Sequence, residues 1–450
     1  MSDKPQVQEA FDKAQSQGHP VPSGETVFVT ARDGYQILAN VRGNSDGQPI
    51  IVLHGGPGAG PSEADEKLFD YSKYRVISIT QRECIQYRGL CDSYRDPALE
   101  NLPDDEKLVA LTRKLDAIRN ITFDDLITDI EDVRRHVLGE NQKVSVMGSS
   151  WGGPLAAFYA GYYPDKVKQV VVRGTSLVEL CGRMNPADVE KTTEQYEKNP
   201  FFTRFVDRLR SDDFFGENFD QSEIMHRLYH VMFDEDGHGQ TKAWTPEQKK
   251  EAAMLWRSWN VSLQYSYGTD EAEIQKTVDK FVTDDWGHSF NYAGMFAWTL
   301  EKQYPLWAPE QGEKSMFHAM NIIRNNNIPF VAVHGIGDDI CPFDNAVRLV
   351  QQVDQTAIEE DFMIRNEAGD VADVRGLQFG QGLLTILPVL AGHAMHGNMM
   401  PKAMKAVLEH FSGDSLPLQT LYPDLNLPQN PNQQAAVVVV TQGTQVHIHP

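Results

Sequence analysis

Apolar positions in this chain follow two different rhythms, and the switch between them divides the sequence. Short alternating runs at 26–30 and 36–41 flank Asp33-Gly34, a dipeptide suited to a tight turn, so they predict a hairpin. Residues 49–53 and 75–80 are two further short β-rich runs. Over 123–137 the apolar residues Leu126, Ile127, Ile130, Val133 and Val137 recur at helical spacing, which predicts an amphipathic helix. A strand at 143–147 follows, then small residues, a helix over 152–162 and a buried strand at 167–172. Strands alternating with helices predict an α/β fold whose mainly parallel sheet is covered on both faces.

From about 176 to 320 the strand-like runs vanish, and helical patterns such as 246–263 dominate. This stretch reads as a helical cap inserted into the sheet. The alternation then resumes, with a strand at 329–334, a helix at 344–352, a strand at 385–391 and a helix at 401–411. The expected organisation is a core of 1–175 and 323–411, a cap of 176–322 and a C-terminal extension of 412–450. Residues 359–382 read as a loop-rich addition. In the extension, Val437 to Val440, Gln442-Gly443, Val446 and Ile448 suggest a hairpin within 435–449. Such a hairpin would pair with a sheet edge, or with another subunit in a homo-oligomer.

Composition adds limits. A chain of 450 residues with 41% hydrophobic and 23% charged residues is long enough for a large core plus an insertion. Its net charge of −22 disfavours nucleic acid and anionic membrane surfaces as partners, and slightly favours a cationic or amine-bearing substrate. No run of about 18 apolar residues is present, and the polar N-terminus lacks the apolar stretch of a signal peptide. Cys84, Cys91, Cys181 and Cys341 are too scattered for a disulfide framework. Cys84 and Cys91 are near enough to bridge, but a reducing compartment keeps such pairs open. A cytoplasmic location is the default expectation. No C-x-x-C or His-rich cluster offers a metal site, and no cofactor is implied.

The chemistry concentrates in four segments. Gly148-Ser149-Ser150-Trp151-Gly152 is a G-x-S-x-G between an expected strand and an expected helix. A sharp turn there exposes the Ser150 oxygen, and the flanking glycines let crowded backbone approach itself. The following helix aims its N-terminal amides at developing negative charge. A serine at this point suits acyl transfer, because water can hydrolyse an acyl-enzyme. His54-Gly55-Gly56-Pro57-Gly58 follows a strand directly. The amides of Gly56 and Trp151 are the expected oxyanion hole, each such donor contributing about 3 to 4 kcal/mol to the transition state. Pro57 has no N–H to offer. The loop Gly335-Ile336-Gly337-Asp338-Asp339-Ile340-Cys341-Pro342 carries the acid, Asp338 being preferred over Asp339. Ala391-Gly392-His393-Ala394-Met395-His396 carries the base, His393 being preferred over His396. Nucleophile, acid and histidine in this chain order are those of the α/β-hydrolase fold.

With these residues in hand, the chain resembles the proline iminopeptidases over most of 25–411. His54 to Gly58 matches H-G-G-P-G, Gln81-Arg82 the Q-R of D-Q-R-G, and Asn120-Ile121-Thr122 with Asp129-Ile130-Glu131 the family's N-T-T and D-I-E. Ser149 to Gly152 is similar to G-S-W-G, His334 to Pro342 to H-G-R-Y-D-x-x-C-P, which supports Asp338, and Ala391 to His393 to A-G-H.

The resemblance implies cap carboxylates that hold the substrate's free α-amino group, one in W-x-x-W-E and one in E-N-H-Y. Here the first reads Trp256-Arg257-Ser258-Trp259-Asn260, with asparagine for glutamate, and the second Glu301-Lys302-Gln303-Tyr304. Thr80 and Glu83 likewise replace the aspartate and glycine of D-Q-R-G. A carboxylate binds an ammonium through charge-assisted bonds about twice as strong as a neutral amide's, so Glu301 becomes the main expected anchor. Trp256, Trp259, Phe296, Trp298 and Tyr304 either line an apolar pocket or form the core of the cap. The expected activity is release of a small apolar N-terminal residue such as proline from a peptide or amide. The alternatives are an esterase, amidase or acyltransferase on the same scaffold, or a non-catalytic binding protein.

Overall fold

The computed structural model describes residues 20–84, 99, 101–176, 199–216, 224–234, 243–264, 271–303, 315–336, 338, 340, 341, 343–351, 358–365, 371–378, 384–389, 391, 399–414 and 421. In chain order the first half holds β1 (Glu25–Thr30), β2 (Gln36–Gly43), β3 (Gln48–Leu53), α1 (Glu63–Glu66), β4 (Tyr74–Thr80), α2 (Asp104–Ile118), α3 (Phe123–Leu138), β5 (Val144–Ser149), α4 (Gly152–Tyr162) and β6 (Val167–Arg173). The helices α5 (Pro200–Leu209), α6 (Ile224–Phe233), α7 (Pro246–Ser262), α8 (Glu271–Val278) and α9 (Trp286–Trp298) follow, with π-helical turns at Asp279–Thr283 and Thr299–Gln303. Then come α10 (Met316–Asn325), β7 (Phe330–Gly335), α11 (Asp344–Gln351), β8 (Ile358–Arg365), β9 (Val371–Gln378), β10 (Leu384–Val389) and α12 (Met399–Ser412).

Among the described residues ten strands form one sheet in the order β1-β2-β4-β3-β5-β6-β7-β10-β9-β8. The six strands from β4 to β10 in that order run parallel, and antiparallel pairs flank them on both sides. The Asp33-Gly34 hairpin forms with Glu25 opposite Val41 and Thr30 opposite Gln36, and Gly34 takes φ +91°.

The central strands read as continuous apolar runs because both faces are covered. Ile50, Val52, Val171, Val333 and Leu387 pack with Met400, Met404 and Val407 of α12 on one side. Ile51, Leu53, Val146 and Val172 pack with Ile127 and Ile130 of α3 and Leu155 and Phe158 of α4 on the other. Successive residues of one strand thus serve opposite layers, as the two-residue pleat requires.

Helix starts follow the local chemistry. Thr122 and Asp125 form a reciprocal capping box on α3, and Thr245 and Gln248 do the same on α7, whose first turn also carries Pro246.

The sequence expectation fails at residues 359–382. In place of a loop-rich addition, β8 and β9 form a hairpin from Ile358 opposite Gln378 to Arg365 opposite Val371, and Gln378 pairs with Thr385 of β10. The strands read IEEDFMIR and VADVRGLQ, so clustered charges interrupt the apolar alternation that marks a strand. Helix α2 carried no expectation either. It packs Leu108, Leu111 and Leu115 inward behind an acidic first turn. The expected C-terminal hairpin lies outside the described residues. No described helix is long and apolar enough to cross a membrane.

The helices of the expected cap, α5 to α9, stand between β6 and β7 in the chain, and α9 lies against the strand-bearing core. A Cβ on Gly58 would meet the Met295 side chain at 2.7 Å and the Tyr292 Cα at 3.3 Å, so the turn after β3 lies directly against α9. Gly287 and Gly294 of α9 give the same closeness to Lys107 and Leu115 of α2.

Candidate active site

Ser150 sits where β5 ends and α4 begins, at the C-terminal edge of the parallel strands. Its φ is +52°, in the left-handed region that costs an L-residue with a side chain about 1 to 3 kcal/mol. The surrounding backbone enforces that geometry. The Ser150 amide donates to the Arg173 carbonyl at 2.8 Å, and the Ser150 carbonyl accepts from Gly153 at 3.0 Å and from Ser176 at 3.3 Å. Gly148 and Gly152 are glycine for contact reasons. A Cβ on Gly148 would lie 2.0 Å from the Gly152 carbonyl oxygen, and one on Gly152 2.1 Å from that of Leu53. The tight turn leaves Ser150 half-buried while Ser149 and Trp151 are buried.

The H-G-G-P-G turn lies beside this elbow. A Cβ on Gly55 would be 3.1 Å from the Ser150 Cβ and 3.7 Å from its Oγ, so Gly55 borders the hydroxyl. Gly56 takes φ +117°, its peptide bond to Pro57 is cis, and a Cβ there would be 2.4 Å from the Gly58 nitrogen. Only glycine fits such backbone.

A buried relay ties the turn to the elbow, and sequence reasoning did not foresee it. The Gln81 amide donates to His54 Nε2 at 3.1 Å, so that nitrogen is unprotonated and Nδ1 carries the hydrogen toward the Gly55 carbonyl at 2.8 Å. Burial pushes the His54 pKa down to about 4, in keeping with a neutral ring. The Gln81 side chain donates to the His54 carbonyl at 2.8 Å and accepts from Trp151 Nε1 at 3.0 Å. The one available signal was that His54 and Gln81 both fall within the resembling family's motifs, H-G-G-P-G and D-Q-R-G.

Next to Gln81, Arg82 binds Asp129 through Nε at 2.6 Å and Nη2 at 2.7 Å, also pairs with Asp33, and lies 4.7 Å from the Tyr35 ring centroid. Glu83 stands where the resembling family has glycine and keeps a left-handed φ of +60°. Its amide donates to the Tyr35 hydroxyl at 3.0 Å, its carbonyl accepts from Asn291 of α9 at 2.9 Å, and its carboxylate pairs with Lys114 of α2. The departure from D-Q-R-G is therefore stabilised on three sides.

The other sequence-derived residues fall as follows. Asp338 follows β7 and is buried. Its Oδ1 accepts from the amides of Ile340 at 3.0 Å and Cys341 at 2.7 Å, and Oδ2 lies 3.6 Å from His334 Nε2, which contacts the Cys341 carbonyl at 2.6 Å. Asp339, His393, His396 and Tyr304 lie outside the described residues. The strand that leads to His393 is placed: β10 pairs beside β7, Val389 stands opposite Gly335, and the Ile336 amide donates to the Val389 carbonyl at 2.9 Å. The chain after β10 therefore departs next to the loop that carries Asp338.

In the cap, Trp256 packs with Tyr292 and Phe296 of α9 at ring-centroid separations of 5.4 and 4.8 Å. Trp259 turns instead to Phe202 and Phe205 of α5, at 4.9 and 6.1 Å. The structure thus brings Trp256 to the helix that touches the turn after β3. Asn260 is buried and accepts a hydrogen bond from Arg257, whose guanidinium lies 4.5 Å from the Tyr292 ring centroid. His288 contacts the Ala59 carbonyl at 3.0 Å, and burial together with the Arg257 charge lowers its pKa to about 4. Glu301 lies in the π-helical turn after α9, with Oε2 2.9 Å from His226 Nδ1, and that hydrogen bond holds its carboxyl below the usual glutamate range.

A strained serine between a parallel strand and a helix, bordered by a glycine turn, is an arrangement built for acyl transfer. Comparison with known proteins agrees. The family model for the α/β hydrolase fold matches residues 48–418. The proline iminopeptidase of Neisseria meningitidis serogroup A is 35% identical over 322 residues, covering 71% of this chain and 83% of that protein. The proline iminopeptidase of Neisseria gonorrhoeae is 28% identical over 332 residues, covering 72% of this chain and 84% of that one. The chain is a serine hydrolase of the α/β-hydrolase fold and belongs to the proline iminopeptidase family.

Proposed function

We propose that the enzyme releases a small, proline-like N-terminal residue from peptides or amides through an acyl-enzyme on Ser150. The observation that carries this reading is the left-handed Ser150 at the β5–α4 turn in a chain of this family. In the proposed cycle His393 takes the Ser150 proton as Oγ bonds to the substrate carbonyl carbon. The Gly56 and Trp151 amides hold the oxyanion. His393 then gives its proton to the departing amine as the C–N bond breaks, and water repeats the sequence to free the acid. Asp338 orients the histidine and stabilises its charged form. The work is divided between a core of 1–175 and 323–411 and a cap of 176–322. In the cap, Glu301 anchors the substrate ammonium, and Trp256, Trp259 and Asn260 of α7 complete the proposed substrate-binding set. The depressed pKa of Glu301 supports that role, since a charged carboxylate is what an ammonium needs.

A second reading, an esterase, amidase or acyltransferase on this scaffold, is favoured by one observation. Asn260 stands at the family's glutamate position, is neutral, and has its Oδ1 engaged by the Arg257 guanidinium.

Turnover of proline 4-nitroanilide, its N-acetyl form and 4-nitrophenyl acetate, with Ser150→Ala as control, separates the two. Preference for the free amine, lost in the variant, supports the aminopeptidase. Turnover of only the blocked amide or the acetate overturns it in favour of the second reading.

A further inference from the structure

The nucleophile turn has a second support, supplied by an acid far away in sequence. Asp65 belongs to α1, the helical turn that follows H-G-G-P-G, and its side chain is 4% exposed. Its Oδ1 accepts from the Ser149 hydroxyl at 3.1 Å and lies 3.5 Å from Arg173 Nη2. These two residues flank the strained position. Ser149 precedes Ser150 and stands opposite Arg173 in the β5–β6 register, while the Arg173 carbonyl is the acceptor for the Ser150 amide. One carboxylate oxygen thus joins the segment carrying the glycine turn, the residue before the nucleophile and the strand end that holds the nucleophile's backbone.

We infer that Asp65 is a positioning residue for Ser150, fixing the serine relative to the glycine turn through Ser149 and Arg173. The inference rests on the reading of Ser150 as the nucleophile. Strained backbone persists only where its surroundings over-determine it, and displacements of about 1 Å at a reacting group cost up to about a hundredfold in rate. Loosening this contact should therefore slow attack without weakening substrate binding.

The test is the rate of labelling by a fluorophosphonate, which reports serine attack without depending on the natural substrate, alongside kcat and KM for proline 4-nitroanilide. Asp65→Ala should slow labelling and lower kcat by about tenfold or more, with KM within about twofold. Asp65→Asn keeps an acceptor for Ser149 and should recover part of the loss. Ser149→Ala removes only the hydrogen bond and serves if Asp65→Ala does not fold. It should also slow labelling, and the two single effects should not add in the double variant. A merely structural contact would lower the melting temperature and leave labelling per folded molecule unchanged. Wild-type labelling in folded Asp65→Ala, or in Ser149→Ala, overturns the inference. Undiminished labelling in Ser150→Ala would instead show that the nucleophile itself was misassigned.

Discussion

Trp151 donates its indole hydrogen to the side-chain oxygen of Gln81 at 3.0 Å, both residues being buried. The residue after Ser150 is thereby fixed to a strand end that also holds His54. Gln81→Ala would strand a buried donor on Trp151 and a buried acceptor on the His54 main chain. Each unsatisfied group costs about 1 to 3 kcal/mol. Urea unfolding should show a loss in that range or above, and turnover should fall because the Trp151 amide loses its support. An unchanged midpoint would remove the relay from the account of the site.

Backbone strain at Ser150 gives a prediction in which stability and activity part company. Ser150→Ala and Ser150→Gly should both be inactive, but glycine tolerates φ +52° without steric cost. The glycine variant should therefore be more stable than the alanine variant by about 1 kcal/mol. Thermal melts of the two proteins decide it, and equal melting temperatures would mean the turn is unstrained.

Burial of His54 makes stability depend on pH in a definite direction. The folded ring has a pKa of about 4 against 6.5 for the unfolded one. Between those values the unfolded chain binds a proton that the folded chain does not, so stability falls as pH drops from about 6.5 to about 4. The shift corresponds to roughly 3 kcal/mol, and His288, depressed in the same way, acts in the same window. Urea midpoints at pH 7.5 and 4.5 measure the effect. A flat profile would contradict neutral, buried histidines at these positions.

Glu301 titrates on the other side. Its hydrogen bond with His226 keeps it ionised below the usual glutamate range, so the anchor proposed for the substrate ammonium would survive mild acid. Glu301→Gln should raise KM for proline 4-nitroanilide about tenfold or more, through loss of a charge-assisted bond, while leaving 4-nitrophenyl acetate little affected. Equal effects on both substrates would assign Glu301 to cap packing.

What could be read in the sequence was local. The strand, glycine-flanked serine and helix around Ser150 are contiguous, as are the turn at Gly56 and the loop carrying Asp338, so each announced its place without tertiary information. The relay could not be read this way, because Gln81 lies 27 residues from His54 and 70 from Trp151. Asp65 is 84 residues from Ser149, and an acid in Glu63–Glu66 looks like any solvated turn until the fold buries it. The β8–β9 hairpin was hidden for a different reason. Its charges suppress the apolar rhythm that identifies a strand, and its pairing with β10 is settled only when the sheet assembles.

The tight seat of Gly58 bears on how this enzyme can vary. A Cβ at that position would meet the Met295 side chain at 2.7 Å, so even alanine there would push α9 away from the turn after β3. The two segments, far apart in the chain, can therefore change only in concert.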